Sequence, residues 1–205
     1  MFAFLFSLIL ALAFPVQVDG QAFNIKKRVT TSDTSAAKLT REQCLERARS
    51  ARISKDLQGA KLNDADLSNV ILLSADMREA NLKKTILTKA KLCRANLSIA
   101  DMEGVMLNEA DLSGAQLVNT KLKNANLVRA KLCDAMLMGA DLTGAILTEA
   151  DLSHANLTGA TLTGAILMGT DLSGANLQGA MLSKTNQLDK AILSQTILPD
   201  GTMHP

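Results

Sequence analysis

Few side chains in this 205-residue chain have types that do chemistry. The thiols are Cys44, Cys93 and Cys133, and the last two each end a Lys-Leu-Cys triplet. A thiolate can attack carbon or bind metal. An odd number of cysteines leaves at least one without an intrachain disulfide. His154 and His204 are the only histidines. A metal centre needs several ligands that converge, and no spacing here supplies them. The recurring aspartates could stack into a calcium-binding ladder, but Lys, Ser and Thr interrupt each row. No Ser–His–Asp set, GxGxxG or phosphate loop is present. The chain reads as a non-enzyme without a cofactor.

What must position these residues is a repeat of period five. Leu recurs at every fifth position from Leu57 to Leu182, with Met77 and Met102 as the only replacements in 26 positions. Two residues earlier the slot is Ala, except for Lys55, Val70, Thr85, Val105, Thr120 and Thr170. Between them the usual residue is Asp or Asn, as in Ala150-Asp151-Leu152. On an α-helix five residues turn about 500°, which scatters the leucines around the axis. On a flat strand an odd period alternates them between faces. A chain that turns a corner every five residues keeps every Leu inside, with the Ala two before it, and leaves three positions facing water. Aromatic residues are only 2% of the chain, with no Trp or Tyr. That suits a narrow interior of one repeated geometry.

The A(D/N)Lxx tandem, from about Lys55 to Leu182, resembles the pentapeptide repeat proteins. The resemblance implies an all-β solenoid: a right-handed quadrilateral β-helix with four repeats to each coil, about 6.5 to 7 coils here. It also implies a short N-terminal capping α-helix. Thr40-Arg41-Glu42-Gln43 fits a capping box, with Leu45, Ala48 and Ala51 as packing positions. After Leu182 the period slips by one: Leu188, Leu193 and Leu198 continue one residue late. Leu198-Pro199-Asp200-Gly201 reads as a turn that stops the ladder.

The expected organisation is a leader over 1–22, a polar segment over 23–39, a capping helix over 40–54, the β-helix over 55–185 and an irregular last coil and tail over 186–205. Phe2 to Phe14 is uncharged and apolar, too short to span a bilayer comfortably and suited to a signal-peptide core. Candidate cleavage points include Ala11-Leu12-Ala13, Val18-Asp19-Gly20 and Gly20-Gln21-Ala22. No Lys or Arg precedes the run. The expectation is export, to the periplasm or thylakoid lumen as in cyanobacterial members of the family, with no stable membrane insertion once the leader is removed and the cytoplasm as the alternative.

Sorting the outward slots by coil, one repeat in every four, gives one informative face. The slot before Leu carries Asp66, Ile86, Met106, Asn126, Ile146 and Ile166, and the slot after it adds Val128 and Met168. Aliphatic side chains in a row facing water suggest contact. The candidate partner face is therefore Ile86, Met106, Val128, Ile146, Ile166 and Met168, and the partner another protein, a second copy or the chain's own N-terminal tail. Lys61, Lys83, Lys84, Lys121 and Lys123 lean to one side, while 135–183 holds no Lys or Arg. The same sort puts Cys93 and Cys133 two coils apart, roughly 9–10 Å, beyond the roughly 7 Å that a disulfide allows.

The expected function is a non-catalytic scaffold or protein-binding module. The alternative is DNA mimicry: some family members resemble B-DNA and inhibit DNA gyrase. Those are strongly acidic, whereas this chain carries a net +2, and no nucleic acid is expected as a partner.

Overall fold

The computed structural model describes residues 16–18, 21–23, 57–183 and 188–205. Two short strands, β1 (Val16–Val18) and β2 (Gln21–Phe23), pair antiparallel with Val16 opposite Phe23. The expected capping helix over 40–54 and most of the expected leader lie outside the described residues. Among the described residues no helix is long and apolar enough to cross a membrane.

From Leu57 onward the chain is a stack of coils. Parallel bridges join Lys61 to Asn81, Asp66 to Ile86, Ile71 to Lys91 and Asp76 to Asn96, and the same 20-residue step continues to Thr161 and Met181. Each coil therefore holds four repeats and has four faces, which we call A to D after the positions that lead them: Asp76 on A, Lys61 on B, Asp66 on C and Ile71 on D.

One repeat explains the rest, because all five of its N–H groups can be followed. Asn81 N–H donates back to Ala60 C=O of the preceding coil (2.9 Å), while Leu82 and Lys84 donate forward to Asp101 and Glu103 C=O (2.7 and 2.9 Å). Thr85 N–H closes the turn on Leu82 C=O (3.1 Å). The fifth, Lys83 N–H, donates to the side-chain Oδ1 of Asn81 (3.2 Å). The same bond recurs at Asn96, Asp111, Asp141, Asp151, Asn156, Asp171 and Asn176. This is the physical reason for Asp or Asn before Leu, since a short acceptor reaches the amide two residues on. The slot is thus not simply water-facing, and Asn81, Asp101 and Asp111 are half-buried.

From Gly59 to Gly179 the corner residue two after each inward Leu or Met has a positive φ: Lys84 at 53°, Asn119 at 54°, Gly159 at 66°. Glycine and asparagine suit this left-handed region. Ile99 does not, yet it stands there at φ 62°, with 58% of its surface exposed. A β-branched residue in this region is strained. Ile99→Asn is expected to stabilise the chain by about 1 kcal/mol, a rise of roughly 2–4 °C in Tm, read by thermal denaturation. An unchanged or lower Tm would show that Ile99 has compensating contacts.

The interior is two columns per face. The Leu column and the Ala column are almost wholly buried, from Leu57 and Ala60 to Leu177 and Ala175. Threonine replaces Ala without leaving an unpaired hydroxyl: Thr85, Thr120 and Thr170 donate Oγ–H to Leu62, Leu97 and Leu147 C=O of the coil before (2.7, 2.9 and 2.8 Å).

The expected one-residue slip is visible in the bridges. Asp171 pairs with Ile192 and Asn176 with Ile197, steps of 21, around a short 3-10 turn at Leu188–Lys190. The chain then reverses. Gly201 N–H closes a turn on Leu198 C=O (2.9 Å), Met203 pairs antiparallel with Ile197, and His204 N–H reaches Thr196 C=O (2.8 Å). The end thus folds back over the last rung of face A, which shields an otherwise open edge.

Candidate interaction face

Face C is built by the turns on either side of it. Between them only the residue before Leu points outward from the flat stretch. Bridges link Asp66, Ile86, Met106, Asn126, Ile146 and Ile166 into one unbroken column. Four of these side chains offer no acceptor, so at those levels the amide two residues on loses the cap found in the repeats with Asp or Asn. Met106 and Ile166 are 41% and 46% exposed, and Ile86 and Ile146 are half-buried. Val128 and Met168 lie on the corner that follows the column. Met168 is 50% exposed and Val128 half-buried. The six residues picked out by the sort over coils are thus brought together on one face and its corner.

The column has one polar interruption. Asn126 Oδ1 accepts from Val128 N–H (3.2 Å) and from Asn108 Nδ2–H (2.8 Å), which leaves buried Asn108 Oδ1 without a partner.

Charges line both corners of this face, and their signs alternate along the rod. On the following corner Lys89 Nζ lies 3.5 Å from Glu109 Oε2, and Arg129 Nε 2.6 Å from Glu149 Oε2, each pair joining neighbouring coils. On the preceding corner Lys83 Nζ lies 3.3 Å from both Asp101 and Glu103, with Lys123 one coil beyond Glu103. The bonds to Glu103 and then Asp101 hold the Lys83 ammonium above its usual pKa. Exposed pairs of this kind contribute little to stability, so their arrangement matters more for recognition. The expected lean of Lys61, Lys83, Lys84, Lys121 and Lys123 to one side also holds. They belong to face B and its corner, and Lys83 and Lys121 both reach Asp101 there.

The residues with covalent chemistry do not converge. Cys93 and Cys133 are free and lie on face D, separated by the Ser113 level; Cys44 lies outside the described residues. Burial first, and then the neighbouring Asp111 carboxylate, pushes the Cys93 thiol up to about 11. A thiol so protonated is a poor nucleophile. At pH about 8 it should react with iodoacetamide roughly a hundredfold more slowly than a thiol of ordinary pKa. Peptide mapping would read this, and rapid alkylation would refute the raised pKa of this half-buried thiol. His154 is exposed at a corner and His204 sits in the terminal fold-back. Among the described residues no three His, Cys, Asp or Glu are grouped to hold a metal ion.

Sequence reasoning missed Ile99, because its exposure and strain follow from a φ that a residue type alone does not disclose. It lies on the corner after face A, away from the aliphatic column.

None of the curated protein sequences compared with this chain matches it. Among solved structures, the plasmid-mediated fluoroquinolone resistance protein QnrB1 is similar at a TM-score of 0.50 and 18% identity, over 72% of this chain and 78% of that one. At that identity the likeness is one of fold. Rfr23, a pentapeptide repeat protein of the cyanobacterium Cyanothece 51142, is 27% identical over 74% of this chain and 97% of its own, with a TM-score of 0.44. HetL, a pentapeptide repeat protein involved in heterocyst differentiation regulation in the cyanobacterium Nostoc sp. strain PCC 7120, is 32% identical over 80% of this chain and 98% of its own, with a TM-score of 0.22. The family model for pentapeptide repeats matches eight copies, over 56–88, 85–124, 115–153, 125–164 and 150–186. With the five-residue bond pattern and the 20-residue bridges already in hand, this family-model match over more than half of the sequence makes the chain a member of the pentapeptide repeat family.

Proposed function

We propose that this chain is a non-catalytic, exported scaffold that binds a protein through face C. The observation that supports this reading is the column Ile86, Met106, Ile146, Ile166. At each of these levels an aliphatic side chain stands where Asp or Asn would cap the turn, a hydrogen bond worth about 0.5–1.5 kcal/mol. Giving up that bond four times on one face, while exposing apolar surface to water, is understandable if the surface is covered in use. Val128 and Met168 widen the same surface at one corner. The right-handed sense and the N-terminal helical cap of the family belong to this reading too.

Export rests on the apolar, uncharged run Phe2–Phe14 and the small residues after it. The periplasm or the thylakoid lumen is the destination, and no cofactor is required. The test is the mass of the protein recovered from a fractionated native host. A chain cleaved at a point between Ala13 and Phe23, in a periplasmic or lumenal fraction, is the expected result. A full-length chain in the cytosol would refute export and make topoisomerase inhibition the next assay.

A further inference from the structure

The signs of the charges beside face C select a partner. On the following corner, successive coils carry Lys89, Glu109, Arg129 and Glu149. On the preceding corner, the levels of Lys89, Glu109 and Arg129 carry Lys83, Glu103 and Lys123. Two identical rods can press this face together in two symmetric ways.

If they run parallel, a two-fold axis lies along the rod. Each following corner then meets its partner's preceding corner at the same level. Lys89 faces Lys83, Glu109 faces Glu103 and Arg129 faces Lys123, so three levels in a row set like against like. If they run antiparallel, each corner meets its own copy reversed. An axis at the Glu109 level, or at the Arg129 level, again opposes like charges. An axis midway between those two levels does the opposite: Lys89 meets Glu149, Glu109 meets Arg129, and on the other corner Glu103 meets Lys123. Every one of these contacts occurs twice in an isologous pair. In the same register Ile86 covers Ile146 and Met106 covers Asn126, whose side-chain oxygen is already held by Val128 and Asn108.

We infer that face C docks a second copy of this chain, antiparallel, about a two-fold axis passing between the Glu109 and Arg129 levels. This rests on the reading of face C as a contact surface and names its occupant. Charge alternation supplies the register, and the aliphatic column supplies the buried area. Like charges count against the parallel pair and against an axis at the Glu109 or Arg129 level, since juxtaposed like charges weaken an interface strongly. An axis between the Lys89 and Glu109 levels, or between Arg129 and Glu149, also sets unlike charges together but at fewer positions than the three of this register.

The test is sedimentation velocity on the purified full chain from low-micromolar to several-hundred-micromolar concentration. The wild type should dimerise reversibly, and added salt should weaken the dimer. Glu109→Arg puts arginine against Arg129 twice and should raise the dimer Kd at least about tenfold. Glu109→Arg combined with Arg129→Glu restores opposite signs across the interface and should bring the Kd back to within about threefold of wild type. Both variants set like charges side by side within one chain at exposed positions, so an unchanged Tm serves as the control for folding. A monomer at every concentration overturns the inference. So does a dimer indifferent to Glu109→Arg, or a double variant that stays monomeric. A photo-crosslinking residue at position 146 separates the two claims. A monomer that crosslinks to a foreign protein in a host extract overturns the self-docking inference and leaves the contact face standing. A monomer that crosslinks to nothing removes both.

Discussion

Leu127→Ala should destabilise the rod by about 3–5 kcal/mol, among the largest effects of any single truncation in the chain. Leu127 is fully buried under the middle of face C. Its backbone is fixed from both sides: Leu127 N–H donates to Ile146 C=O (2.8 Å), and Ala130 N–H closes the turn on Leu127 C=O (3.0 Å). The coils above and below cannot move in to fill the space, because each is held by the same ladder at a spacing of about 4.8 Å. The removed methyls therefore leave a hole that stays open, and the cavity contribution adds in full. Each coil contacts only its neighbours, so the loss should also be local. Urea denaturation gives the magnitude. Hydrogen exchange should show the steepest loss of protection at the amides of the Leu107, Leu127 and Leu147 levels. A change below about 1 kcal/mol would mean that the interior relaxes around the vacancy, against the ladder argument.

The Ala column should be intolerant in the opposite direction. Ala140→Leu is expected to cost about 3 kcal/mol through overpacking, whereas Ala140→Val should cost under about 1.5 kcal/mol. Ala140 is fully buried, with Thr120 and Ala160 in the same column one coil to either side. Val105 and Thr85 occupy equivalent slots with no exposure at all, so a branched side chain of that size fits against the opposing leucines. One further carbon must enter the Leu column. Paired urea melts of the two variants decide the matter. Equal, small losses in both would show spare volume in the interior that the burial pattern denies.

The period-five pattern made much of this legible beforehand. Leu57, Leu62 and their successors specify the corners, and the late Leu188 and Leu193 specify the slip that appears as the 21-residue step from Asp171 to Ile192. The column from Ile86 to Ile166 could be assembled from spacing alone once four repeats per coil were assumed. Other features could not. The role of Asn81 as an internal acceptor depends on the direction of one amide, which a repeat consensus does not state. Thr85 in an Ala slot looks like noise until its hydroxyl is seen on Leu62 C=O. The reversal that pairs Met203 with Ile197 arises from a short irregular tail, where no periodicity exists to be read.

The 20-residue step of the bridges from Lys61 to Met181 also bears on how such a chain can change over generations. An in-frame duplication of twenty codons within the repeats would add one rung, lengthen the rod by about 4.8 Å and leave each column beneath its old neighbours. A duplication of five codons would preserve the Leu and Ala interior equally well, yet turn everything downstream by a quarter of the circumference. Ile146 and Ile166 would then leave the side that holds Ile86 and Met106, and Arg129 and Glu149 would leave the corner that holds Lys89 and Glu109. Selection on stability alone would accept both events. Selection on a shared surface would accept only the first, so length variants differing by whole coils are the ones expected to keep this surface intact.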